Sequence, residues 1–187
     1  MTLIASTGRH MWAALALALS AATLHAQPAT QTPPLVTIPS LDVARYLGTW
    51  YEVAKFPNRF QQMCVANTQA EYRRLDSGQI EVVNRCQTAS GEMTQVVGRA
   101  RQVGDANSPR LKVRFAPAWL SFLPFVWGDY WVIDLEPDYQ LVAVSEPKRE
   151  YLWILSRRPQ VDAQRYQALL GRLQTQGFDL SQLQVSP

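Results

Sequence analysis

From Thr49 onward, apolar and polar positions alternate in short runs separated by turn-forming residues. The runs are Thr49–Lys55, Ala66–Leu75, Gln79–Cys86, Thr94–Val103, Arg110–Phe115, Tyr130–Leu135, Gln140–Ser145 and Tyr151–Arg157. Between them stand Asp76-Ser77-Gly78, Ala89-Ser90-Gly91, Gly104-Asp105-Ala106-Asn107, Glu136-Pro137-Asp138 and Glu146-Pro147-Lys148, whose residue types favour tight turns. Eight short strands with such connections predict an all-β, antiparallel up-and-down meander. Eight strands close into a barrel just wide enough for one small ligand.

The period changes once. Asp162 to Gln176 carries Ala163, Tyr166, Leu169, Leu170 and Leu173 at helical spacing, with Asp162 suited to cap the start and Gly177 the end. This predicts a C-terminal α-helix packed on the outside of the barrel, followed by a short final strand around Phe178 and Leu180. Leu41 to Leu47 reads as one or two helical turns, capped by Ser40 or Asp42 and stopped at Gly48.

The first residues have a different character. Arg9 and His10 precede an apolar stretch, Met11 to Ala22, and Leu24-His25-Ala26 ends on a small residue. Residues 1–26 therefore read as a signal peptide cleaved after Ala26. The apolar stretch, about 12 residues, falls short of the roughly 20 that a spanning helix needs. An uncleaved anchor is the alternative. Residues 27–39, rich in Pro, Thr and Gln, read as an extended linker, leaving 40–187 as the folded domain.

Removing that leader changes the chemistry available. Both histidines, His10 and His25, lie in it. The remaining chain has no His base, no Ser–His or Cys–His pair and no His for zinc or haem. No cofactor or metal is expected. The 17 basic and 15 acidic residues that remain give a formal charge of +2 and are scattered, which is not a nucleic-acid footprint. Cys64 and Cys86 are the only cysteines. In an oxidising compartment they suggest one disulfide closing a loop of about 20 residues, with two buried thiols as the alternative. A hairpin turning at Asp76 to Gly78 does not place the two directly opposite each other. The bond needs a bulge or bend in the first strand of that hairpin.

Three motifs in order carry a family resemblance. Gly48-Thr49-Trp50 at the first strand resembles the first lipocalin signature. Pro137-Asp138-Tyr139 resembles the second, and Leu155-Ser156-Arg157 the third. The segments Tyr46–Val53, Phe56-Pro57-Asn58-Arg59-Phe60 and Tyr151–Arg157 are similar to the bacterial lipocalin (Blc) and apolipoprotein D branch. The resemblance spans about Leu41 to Leu183. It implies a non-enzymatic carrier that stores or transports fatty acids or lysophospholipids for envelope maintenance. The lipidated cysteine common in that branch is missing here, so the expected location is soluble in the periplasm, with association to the outer membrane as the alternative.

The first and third signatures have a physical reading. Trp50 plugs one end of the barrel, and Arg157 lies over its indole in a cation–π contact. Strand alternation then assigns the lumen. Phase from Trp50 puts Glu52, Ala54 and Phe56 inward, and phase from Arg157 puts Tyr151, Trp153 and Leu155 inward. Elsewhere the less charged parity selects Ala70 and Tyr72, Val82 and Asn84, Val96, Gly98 and Ala100, Val113 and Phe115, Tyr130 and Val132, and Leu141 and Ala143. A fully packed barrel core without a cavity is the alternative.

One loop stands apart. Residues 116–127 hold Trp119, Leu120, Phe122, Leu123, Phe125 and Trp127, with Pro117 and Pro124 disfavouring a strand. They are expected to form a lid at the open mouth, with transient contact to a membrane surface or a second subunit. Folding into the barrel as core is the alternative. Arg59, beside Phe60, is placed to meet an anionic head group, with a solvated arginine as the alternative. Two other readings compete: a homodimer held by the aromatic loop with no ligand, and an enzyme using carboxylates such as Glu52 and Asp134.

Overall fold

The computed structural model describes Thr2 and residues 33–187. The chain divides into two units, Met1–Gln31 and Thr32–Pro187, and the fold that follows is that of the second. The expected leader, apart from Thr2, and the first half of the expected linker lie outside the described residues.

Nine strands form one sheet. They are β1 (Gly48–Lys55), β2 (Cys64–Arg74), β3 (Ile80–Thr88), β4 (Met93–Gln102), β5 (Arg110–Arg114), β6 (Gly128–Leu135), β7 (Leu141–Ser145), β8 (Leu152–Ser156) and β9 (Gln184–Val185). Each of the eight expected strands is present, its ends within two residues of the expected ones. Consecutive strands from β1 to β8 pair antiparallel, and β8 pairs back on β1, so the barrel closes. The final strand lies further along than expected. Phe178 is instead buried against Phe56, with ring centroids 6.2 Å apart, and Leu180 sits in a 3-10 turn capped by Asp179. The strand that follows, β9, pairs Val185 with Ala54 and Gln184 with Lys55.

Two helices complete the unit. In α1 (Val43–Tyr46), Asp42 caps the start by accepting from the Arg45 amide at 3.3 Å. In α2 (Ala163–Thr175), Asp162 accepts from the Gln164 and Arg165 amides at 3.0 Å each. Leu169 and Leu173 of α2 are buried on the outer wall with Ile133, Leu152 and Ile154. Burying each such leucine stabilises by about 2 kcal/mol. Arg172 and Arg165 clamp the polar edges of the helix to Asp134 and Glu136, each at 2.6 Å.

The apolar residues split into an inner set at the base of the lumen and an outer set under α2. This partition corrects four of the expected lumen residues. Glu52 lies opposite Leu155, but the next pair is Ala54 opposite Ile154, so β1 carries one extra residue at Val53. A bulge of one residue inverts the side-chain phase beyond it. Ala54 and Phe56 therefore pack outside, under α2, and not in the lumen. On β7 the expected parity is reversed as well. Val142 and Val144 face the lumen, while Leu141 and Ala143 pack outward. All five residues of β7 are buried, so neither face carries a charge to mark it.

Cys64 and Cys86 form the disulfide, with Cα atoms 5.4 Å apart. Register shifts between Cys64 and Ala66 and between Ala66 and Gln69 bring them into reach, as the hairpin arithmetic required. Residues 33–39 are extended but not free of the barrel. Leu35 is buried in the outer set, and the Ile38 amide donates to the Val132 carbonyl at 3.1 Å.

Candidate functional site: a closed floor and an open mouth

The floor is built from α1 and the signature residues. The Trp50 indole is fully buried and donates from Nε1 to the Tyr46 carbonyl at 2.8 Å. Arg157 lays its guanidinium over the indole, with Cζ 4.0 Å from the ring centroid. Its nitrogens donate to the carbonyls of Thr49 at 2.9 Å, Arg45 at 2.7 Å and Tyr46 at 3.1 Å. Burial pulls the Arg157 pKa down from its ordinary value. Gly48 has φ of +96°, and a Cβ there would stand 3.3 Å from Arg157 Nη1. Only glycine suits that junction.

Above the floor three phenols meet. The hydroxyls of Tyr46 and Tyr130 lie 2.6 Å apart, and those of Tyr72 and Tyr130 lie 2.8 Å apart. Burial raises all three pKa values, that of Tyr72 to about 12. All three phenols are therefore neutral at physiological pH. Tyr46 has no charge or strand pattern that points to the lumen; only the closure of α1 over the barrel end brings it there.

The walls change character with height. Val82, Val132 and Leu155 are buried near the floor together with Val142 and Val144. Toward the mouth the inward positions open. Asn84, Val113 and Trp153 are half-buried, and Val96 is 47% exposed although it pairs with Asn84 on the inner face. Phe115 lies over Gly98, where a Cβ would fall 2.6 Å from the ring. That glycine gives the phenyl its seat against the inner wall.

One polar group interrupts the apolar wall. Glu52 is buried, accepts from Gln61 Nε2 at 2.6 Å and from Ser186 Oγ at 2.7 Å, and pairs with Lys55 at 2.9 Å. Gln61 in turn accepts from the Trp153 indole at 2.8 Å. Lys55 and Gln61 were not expected here. The Val53 bulge turns Lys55 to the Trp153 side, opposite which it pairs. Asp134 bonds Arg172 on the outer wall, so the two carboxylates considered for catalysis stand on opposite faces of the sheet. Among the described residues, no three metal-ligating side chains cluster.

The mouth is aromatic. Trp119, Phe122 and Phe125 are 73%, 75% and 81% exposed, on two 3-10 turns, Ala118–Leu120 and Pro124–Val126. They are not folded into the core. Trp127, by contrast, is buried, but outside both apolar clusters: it lies against Arg101 and Arg114, whose Cζ atoms lie 4.5 Å and 5.3 Å from its ring. Phe60 is exposed on the first mouth loop, with Arg59 over its ring at 5.1 Å and Tyr151 at 5.5 Å. Two recesses lie outside the barrel, of about 450 Å³ and 360 Å³. They are lined by the ion-pair partners Arg165 with Glu136 and Arg172 with Asp134, so they are seams of helix docking and not apolar ligand sites.

Known proteins share this architecture. The family model described as a lipocalin-like domain matches residues 41–187. The outer membrane lipoprotein Blc of Citrobacter freundii is 38% identical over 169 residues, covering 89% of this chain and 91% of that protein. Apolipoprotein D of Mus musculus is 31% identical over 153 residues, covering 77% and 75%. Among solved structures, insecticyanin from the tobacco hornworm Manduca sexta superposes with a TM-score of 0.64 at 18% identity, covering 84% of this chain and 86% of that one. The chain belongs to the lipocalin family, with Blc and apolipoprotein D among its relatives.

Proposed function

We propose that this protein is a carrier and not an enzyme, and that its barrel holds a single-chain lipid, a fatty acid or lysophospholipid. The carrying observation is the gradient along the lumen. Inward residues are sealed around Trp50 and half open around Val96, Val113, Phe115 and Trp153. An apolar cup with a closed base and open upper wall fits an acyl chain entering from the mouth. Arg59 supplies positive charge at that end for an anionic head group. The family is one of small-hydrophobic-ligand binders, which supports the reading.

The three exposed aromatics of the mouth loop are the second half of the proposal. Among residues 115–127 there is no charged side chain. An uncharged aromatic loop at the entrance suits brief contact with a lipid surface during loading. The place of action is an exported compartment, the periplasm, in service of envelope maintenance. Native mass spectrometry of protein purified from that compartment tests this. Copurified single-chain lipid at one per chain supports it. A bare dimer held through the loop would replace it with a purely associative role.

A further inference from the structure

The tyrosine cluster at the lumen floor holds more donors than its own acceptors can use. Three hydroxyls carry three protons, and the two contacts, Tyr46–Tyr130 and Tyr72–Tyr130, consume two of them. Among the described residues no other acceptor bonds any of these oxygens. One proton is therefore left over whichever way the chain of hydroxyls is oriented. Tyr46 and Tyr72 are buried, and Tyr130 is the member still half open to the lumen. A buried donor without an acceptor is costly.

The surroundings define what it can meet. The neighbouring wall is Val82, Val132, Val142, Val144 and Leu155, all apolar. Arg157, the cation near this end, stacks on Trp50 and already donates to three carbonyls. A carboxylate at this depth would lose its hydration for a single donor. A plain methyl terminus would leave the proton unmet. An uncharged oxygen meets both conditions.

We propose that the Tyr46–Tyr72–Tyr130 cluster is a subsite for an uncharged oxygen acceptor, a hydroxyl or ketone, at the leading end of a long-chain ligand. The barrel then prefers chains oxygenated at the end remote from the carboxylate. This rests on the lumen being the ligand site.

The test uses the full folded domain and a series of chain lengths from dodecanoic to octadecanoic acid. Each acid is paired with its terminal-hydroxyl counterpart, and both affinities are measured. At the length that reaches the floor, the hydroxy acid binds about 10-fold more tightly, the loss expected for one stranded buried donor. In the variant Tyr46→Phe/Tyr72→Phe/Tyr130→Phe that ratio falls to about one while the plain acid still binds. Equal binding of both acids by the unaltered protein at every length overturns the subsite and leaves the lumen reading standing. Failure of both acids to bind at every length overturns the lumen reading and the subsite with it. A second readout needs no variant. The ketone stretch of a terminal methyl-ketone acid shifts down on binding, below its position in alkane. An unshifted stretch overturns the subsite.

Discussion

Arg157 covers Trp50 at 4.0 Å while binding three carbonyls from residues more than a hundred positions earlier in the chain. The pair ties the end of β8 to α1 and the start of β1, so the floor is a structural seal. Trp50→Ala is expected to cost about 4 kcal/mol of unfolding free energy, as for a fully buried large aromatic. Arg157→Ala should cost about 2 kcal/mol through its charge-assisted hydrogen bonds. Urea denaturation followed by tryptophan fluorescence and circular dichroism measures both. Loss of less than about 1 kcal/mol for Trp50→Ala would refute the sealing role.

The disulfide should stabilise the fold by about 3 kcal/mol, given its sequence separation of 22. A Cys64→Ser/Cys86→Ser variant should therefore melt lower while keeping the same fold. Because the bond sits at the mouth end of β2 and not at the floor, ligand affinity per folded molecule should change little.

The tyrosine cluster makes stability depend on alkaline pH. Burial holds the folded Tyr46, Tyr72 and Tyr130 pKa values above that of an unfolded tyrosine, with Tyr72 at about 12. The unfolded chain releases these protons near pH ~10. The contribution is thus complete below pH ~10 and is lost as pH climbs toward ~12. The urea midpoint should fall across that window, and fall less in a variant with all three tyrosines changed to phenylalanine. Parallel declines in the two proteins would show that the cluster does not titrate with unfolding.

Exposure of the mouth loop separates membrane contact from folding. Trp119→Ser, Phe122→Ser and Phe125→Ser touch side chains that are mostly solvated, so each should change stability by no more than about 0.5 kcal/mol. The triple variant should sediment with lipid vesicles much less than the unaltered protein. Equal sedimentation would remove the loop from the account, and a shift from dimer to monomer would reassign it to self-association.

Legibility of the sequence divided along physical lines. The eight strands, α2 and the Trp50–Arg157 seal rest on turns, period and signatures, all local features, and all three are in the structure. Side-chain phase is less secure because a single extra residue inverts it. Nothing in Tyr51-Glu52-Val53-Ala54 marks the bulge that sends Ala54 and Phe56 outward and Lys55 toward Trp153. On β7 the residues Leu-Val-Ala-Val-Ser are buried on both faces, so charge could not choose between Ala143 and Val144. Tyr46 and Tyr130 are 84 residues apart, and only barrel closure makes their hydroxyls neighbours.

Val96 separates an upper lumen that holds ligand from one that does not. It faces inward yet is 47% exposed, so a larger side chain there has room and need not disturb the fold. Titration of a fluorescent fatty acid into Val96→Trp, beside the unaltered protein, measures the consequence. If the upper lumen holds the ligand, the melting temperature stays unchanged and the affinity falls by about 10-fold or more, because the indole occupies the space of the acyl chain. Undiminished affinity in a well-folded Val96→Trp protein would contradict a ligand site there.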